Sequence, residues 1–207
     1  MSPGPDRPRY GWEPRAGRYR DLQTGRWVSA REVREAMAER IRVGVERVDA
    51  LCDALEARRI TIAEWQAGVA DEIRLIRTQV AALGKGGWER MMQADWGRVG
   101  AQCKRQYQYL QRFAQAIADA KLSPAQIKAR ARLYMNAARE AYFKARRAVE
   151  KKLGRREVRW VLTAAEHCPD CEALAAKGWM PIGDLAQYPG DGQTQCGPNC
   201  KCYLEYR

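Results

Sequence analysis

The sequence predicts a mainly α-helical protein, with an elongated body of about four helices, that ends in a small α+β zinc-binding module. Three observations carry that prediction. Apolar residues recur at spacings of three and four behind three helix-start signals. After Gly154 the pattern changes to β-branched alternation in Val158-Arg-Trp-Val-Leu-Thr163. Five of the seven cysteines then crowd into Cys168-Pro-Asp-Cys171 and Cys196-Gly-Pro-Asn-Cys200-Lys-Cys202.

Taken in order, residues 1–28 read as an extended arm with a small hairpin. Pro3, Pro5, Pro8 and Pro14 with Gly4, Gly11 and Gly17 leave residues 1–17 little to bury. Aromatics on both sides of Thr24-Gly25 then predict a hairpin whose Tyr19 and Trp27 pack on the body, because an isolated hairpin is marginal.

Residues 29–154 form the helical domain. Ser29-Ala-Arg-Glu32, Thr61-Ile-Ala-Glu64 and Ser123-Pro-Ala-Gln126 are capping boxes, the last with Pro124 at the first helical position. The first helix runs to about Arg58 on a stripe of Val33, Met37, Ile41, Val45, Val48, Leu51 and Leu55. The second buries Ile62, Trp65, Val69, Ile73, Ile76 and Val80 and stops at Gly84-Lys-Gly-Gly87. A third, from near Trp88 to about Ala120, has a looser stripe including Met92, with Gly97 and Gly100 as weak points or close-packing sites. The fourth spans 124–153 and ends at Gly154. Its apolar side is Ala131, Ala138, Ala141, Ala145 and Ala148, with Leu133, Tyr134 and Tyr142, small enough for another helix to approach closely.

Residues 155–207 form a cysteine-rich β module. Its strand from Val158 can pair with Cys202-Tyr-Leu-Glu-Tyr206, bringing the cysteine clusters together. So small an apolar content is poorly stable unaided. A structural zinc ion, worth on the order of 10 kcal/mol, would decide whether such a module folds.

Composition narrows the classes. The chain has 46% apolar residues, enough for a core, and no run of about twenty apolar residues that would span a membrane. The N-terminus lacks the apolar stretch of a secretory signal, which predicts maturation in a reducing cytosol, where clustered cysteines favour metal over disulfides. The formal charge of +12 is uneven: residues 124–154 carry nine Lys and Arg against Glu140 and Glu150. A concentration of this kind is a footprint for polyanions.

Cys-x2-Cys turns tightly enough for two thiolates to meet one ion, and a second cluster closes the tetrahedron zinc prefers. The candidate ligands are Cys168, Cys171, Cys196, Cys200 and Cys202, five for four places, with Cys196 or Cys202 as the spare. Disulfides, free thiols and redox chemistry are the competing readings. His167, adjacent to Cys168, suits a position behind the ligands or at the surface. Cys52 and Cys103 sit on helical stripes and read as small buried hydrophobes. An enzyme is not indicated. A zinc deaminase needs His-x-Glu ahead of Pro-Cys-x-x-Cys, whereas the order here is Glu166-His167-Cys168-Pro169. One histidine gives no nucleophile, base and orienter set, and Gly84-Lys-Gly-Gly87 lacks the ending of a phosphate cradle.

Trp160, Glu166-His-Cys-Pro-Asp-Cys-Glu-Ala-Leu174 and Cys196-Gly-Pro-Asn-Cys-Lys-Cys202 together resemble the C-terminal signature of tailed-phage head morphogenesis proteins, the minor head proteins of the phage Mu type. That signature has an acidic residue before Cys-Pro-x-Cys and closes with Pro-Asn-Cys-Arg-Cys. The resemblance spans residues 160–202, and the helical part is alike in character alone. By position Cys168, Cys171, Cys200 and Cys202 match the family cysteines. Where the family commonly has His this chain has Gly197, so the fourth ligand stays open, with Cys196 beside it. Lys201 in place of Arg keeps the charge without the planar fork.

The resemblance implies a virion structural protein, made in the host cytoplasm and working in a multi-chain assembly with capsid or portal proteins. It also gives the basic helix a second reading beside a solvated face: sequence-independent contact with double-stranded DNA through Lys128, Arg132, Arg139, Arg146, Arg147 and Lys151. A zinc-knuckle DNA-binding regulator is the alternative function.

Overall fold

The computed structural model describes residues 9–207. The first eight residues of the expected arm lie outside the described residues. Three strands open the chain as an antiparallel sheet: β1 (Tyr10–Glu13), β2 (Arg18–Asp21) and β3 (Trp27–Val28), with β2 in the middle. The predicted Thr24-Gly25 turn joins β2 to β3, and Gly25 takes the left-handed conformation at φ 73°. Two expectations change here. Tyr10–Glu13, read as part of an extended arm, is a strand in register with β2 from Tyr10↔Asp21 to Glu13↔Arg18. Tyr19 is buried as expected, but Trp27 is on the outer face, because alternate residues of a strand point to opposite sides.

Helices α1 (Ala30–Glu56) and α2 (Ile62–Lys85) follow. Both predicted capping boxes form: the Ser29 amide donates to Glu32 at 2.7 Å and the Thr61 amide to Glu64 at 2.7 Å, with the reciprocal bonds present. The predicted stripes are buried, with Val33, Val48, Trp65, Val69, Ile73 and Val80 at the centre of the core. Helix α2 is the axis of the body, packed against α1 and the later helices. Its last two turns are covered on all sides, and Gly84 is the point of closest approach: an added Cβ there would press into the Tyr142 carbonyl oxygen.

The third helix starts later than its sequence suggests. A single 3-10 turn at Trp88–Arg90 precedes α3 (Gln93–Ala118), whose first turn is capped by the Asp95 carboxylate accepting from the Met92 amide at 3.0 Å. Met92 therefore precedes the helix and faces solvent instead of joining the stripe. Gly97 and Gly100 are open to solvent, so neither is a close-packing site.

The expected helix 124–153 is two helices, α4 (Pro124–Asn136) and α5 (Arg139–Lys152). The Ser123 box caps α4 as predicted, and Ala131, Ala138, Ala141 and Ala145 are buried, whereas Leu133 is exposed. The break at Ala137–Ala138 has a cause distant in sequence. The fully buried Arg77 of α2 donates to the Ala137 carbonyl at 3.1 Å, to Gln102 at 3.0 Å and to Glu140 at 3.4 Å. A carbonyl held sideways by a guanidinium is lost to the helix ladder.

The C-terminal stretch contains β4 (Glu157–Val161), α6 (Pro169–Ala176), β5 (Met180–Pro181) and β6 (Tyr203–Tyr206), in sheet order β5-β4-β6. The predicted pairing forms, antiparallel, from Val158↔Tyr206 to Val161↔Tyr203. Val158, Trp160, Ile182, Leu185 and Leu204 join the same hydrophobic cluster as the helices. Among the described residues no helix is long and apolar enough to cross a membrane.

Candidate metal centre

Two short segments deliver the thiols. Cys168 is the residue before α6, with Pro169 in the first helical position, and the Cys171 amide donates back to the Cys168 carbonyl at 3.0 Å. One helical turn thus aims both side chains the same way. The second segment is a loop around the 3-10 turn Gly197–Asn199, where Gly197 supplies a φ of 55°. That loop is pinned twice: the Gln195 amide donates to Asp170 at 2.8 Å, and Asn136 of α4 donates to Asn199 at 2.8 Å.

The five sulfur atoms converge. Cys168, Cys171 and Cys196 lie within 4.8 Å of one another, and so do Cys171, Cys200 and Cys202. Cys171 is common to both triads, with its Sγ 3.6 Å from Cys196 and 3.7 Å from Cys200. Four sulfurs at 2.3 Å from a tetrahedral ion are about 3.8 Å apart, so these separations fit thiolate ligation. A disulfide would hold them at about 2.05 Å, and all seven cysteines are free. The cluster could hold a metal ion.

The surroundings favour negative charge at this point. Hydrogen bonding from the Cys202 side chain, outweighing burial, pulls the Cys200 thiol down to about 5. The same contact, with burial, pushes Cys202 up, and burial pushes Cys171 and Cys196 up. At Cys168 burial is outweighed by the backbone amides of Cys171 and Cys196, and its pKa falls. Thiolates therefore begin at Cys200 and Cys168, and a cation would have to draw the remaining protons off the buried sulfurs.

Two buried donors not satisfied by oxygen or nitrogen border this centre. Arg139 Nε has no hydrogen-bond partner within the protein, and Trp160 Nε1 has none but the nearby Cys202 sulfur. Arg139 is within electrostatic reach of the Cys200 thiolate, and Trp160 within hydrogen-bonding influence of Cys202. Donors stranded in a protein interior are costly unless a negative group faces them, and a metal–thiolate cluster is such a group. The donor set thus fits a thiophilic divalent ion.

His167 is closer to the centre than its sequence position alone indicated. Its Nε2 lies 2.9 Å from the Thr163 carbonyl and its Nδ1 3.5 Å from Cys202 Sγ. With Nε2–H donated to Thr163, Nδ1 is an acceptor for the Cys202 thiol. The sequence signal for this contact was slight, a lone histidine beside a ligand candidate. Cys52 and Cys103 are buried on α1 and α3, away from the cluster.

The six cations expected to face phosphates do not make one surface. Lys128 is paired with Asp53 at 2.8 Å, and Arg132 grips Asp49 with bonds of 2.8 and 2.7 Å. Arg139 is buried beside the thiols. Arg146 is buried under the N-terminal sheet, 4.0 Å over the Trp12 ring, donating to Tyr19 at 2.9 Å and paired with Glu150. Arg147 holds the Ile182 carbonyl at 2.6 Å and the Tyr188 hydroxyl at 2.6 Å. Only Lys151 of the six is exposed and outside these contacts. The physical reason is packing: α4 lies against α1, whose Asp49 and Asp53 meet Lys128 and Arg132, and α5 lies between α2 and the C-terminal sheet, so that its guanidinium groups tie elements together.

No family model, no curated protein and no solved structure matches this chain.

Proposed function

We propose that the chain is a virion structural protein of the minor head or head morphogenesis type, non-enzymatic, acting at the portal or capsid interior with zinc as the staple of its C-terminal module. The observation that supports the reading is the convergence of Cys168, Cys171, Cys196, Cys200 and Cys202, the residues on which the resemblance rests, in two triads that share Cys171, each close enough to hold a metal ion. Thiolates are soft donors that suit a tetrahedral d10 ion. The proposed ligands are Cys168, Cys171, Cys196 and Cys200, with Cys202 engaged by His167. Four protein ligands close the coordination sphere, which makes the site structural and leaves no position for a substrate.

The zinc-stapled end then serves as a docking element for capsid or portal proteins. Double-stranded DNA is the weaker partner in this reading, because five of the six cations first assigned to it are engaged within the fold. Cross-linking mass spectrometry on purified particles tests the proposal: cross-links from the segment 155–207 to portal or capsid chains are expected. Absence of the chain from purified particles would refute it.

A further inference from the structure

One end of the molecule combines exposed aromatic and aliphatic side chains with exposed positive charge. Trp88 and Trp96 stack with ring centroids 5.1 Å apart and planes 21° apart, and Trp96 remains 38% exposed. Beside them Met92 is 58% exposed and Leu153 39% exposed. Lys152 joins the two groups, with its Nζ 3.8 Å from the Met92 sulfur. The segment Lys151-Lys-Leu-Gly-Arg-Arg156 turns through Gly154 at φ 80° and is exposed throughout, putting four cations around Leu153.

The acids on the packed elements do little to neutralise them. Asp95 is buried and held by Lys85 at 2.9 Å and by Arg98. Glu150 is buried against Arg146, and Arg155 reaches it only at 3.9 Å. Glu157 is bound by Arg207 at 2.7 Å.

We propose that this end, formed by Trp96, Met92, Leu153, Lys151, Lys152 and Arg155, is a binding site for single-stranded nucleic acid. Cations spaced along a turn neutralise successive phosphates, and a partly exposed indole offers an unpaired base an aromatic surface that duplex DNA, with its bases already stacked, cannot use. Charge complementarity sets the class of partner, and the open aromatic selects the unpaired form over the duplex. The inference needs neither the metal nor the assembly role, and goes beyond both.

The test is fluorescence anisotropy on the full chain with its metal. The probes are labelled oligothymidylate of about 16 nucleotides and a duplex of the same length, at about 50 and about 200 mM salt. Tighter binding of the single strand is expected, with a steep loss at the higher salt. The double charge reversal K151E/K152E and, separately, Trp96→Ala should each weaken it about tenfold with unchanged melting temperature. If Trp96→Ala melts early, the charge-reversal variant and Trp96→Leu decide, since both keep bulk on the surface. Equal or tighter duplex binding would overturn the proposal. So would no binding at the lower salt, wild-type affinity in the variants, or tighter binding of poly-glutamate, which would mark an acidic protein surface as the partner. Absence of the chain from particles would sink the assembly reading and leave this result standing.

Discussion

Replacing Cys171 by Ser removes the one sulfur shared by both triads, and its consequences can be estimated from the structure. Cys171 is buried, with two thiols at 3.6 and 3.7 Å, and without it the other four sulfurs are left as two separate pairs. A serine hydroxyl is a poor substitute for a thiolate, and the remaining sulfurs hold the ion weakly. If wild-type metal is present at about a thousand times its dissociation constant, losing its binding removes about 4 kcal/mol of linkage stabilisation. For a chain of this size that corresponds to a fall of roughly 8–16 °C in melting temperature. Metal content by plasma mass spectrometry should drop from about one ion per chain to a small fraction, with zinc as the ion found. A chelator should lower the melting temperature of the wild type by a similar amount and leave Cys171→Ser almost unchanged. Cys202→Ser, which removes the thiol facing His167, should keep most of the metal. Full metal content in Cys171→Ser, or a wild type indifferent to chelator, would refute the reasoning.

Three further outcomes follow from the packing. Arg77→Met leaves Glu140 with fewer partners and the Ala137 carbonyl with none from α2, and should cost about 3–5 kcal/mol in denaturant unfolding. Gly84→Ala drives a methyl into the Tyr142 carbonyl where α2 meets α5, and should cost about 1–3 kcal/mol by the same assay. The third concerns pH. Asp21 is pulled down to about 2, chiefly by its hydrogen bond from Arg9, against the opposing effect of burial. A depressed folded-state pKa contributes stability that is fully present above the unfolded value near 4 and lost as pH falls towards 2. Amide protection factors in β2 and β3, the exchange rates corrected for their intrinsic pH dependence, should therefore fall between about pH 4 and pH 2, and Asp21→Asn should abolish that dependence.

Local signals in the chain were reliable where the physics is local. Ser29, Thr61 and Ser123 cap helices because their hydroxyls and the acid or amide three residues later need only each other. The strand pairing of Val158 with Tyr206 was visible because alternation and burial leave few registers open. The break at Ala137–Ala138 was invisible for the opposite reason. Alanine is the best helix former, no Gly or Pro marks the site, and the disrupting group is Arg77, 60 residues earlier. The cations misled in the same way. Arg146 looks like a surface residue until Trp12 and Tyr19, more than 120 residues away, close over it.

Arg139 shows what that misreading conceals. As a member of a basic helix it counts towards attraction for phosphates, yet its guanidinium is buried within reach of Cys200 and its Nε has no partner in the protein. It stands in the first turn of α5, just after the break held by Arg77. Arg77 holds the Ala137 carbonyl and Glu140 on either side of it, and α5 places the Arg139 charge beside the thiols. Four thiolates on one divalent ion carry a net charge of about −2, which a protein interior tolerates only with donors and cations around it. Arg139 and the Trp160 indole meet that requirement from two sides, one from the helical body and one from the C-terminal sheet. The cysteine module and the helical body thus meet at Arg139, and an ion bound by the thiols would face that charge.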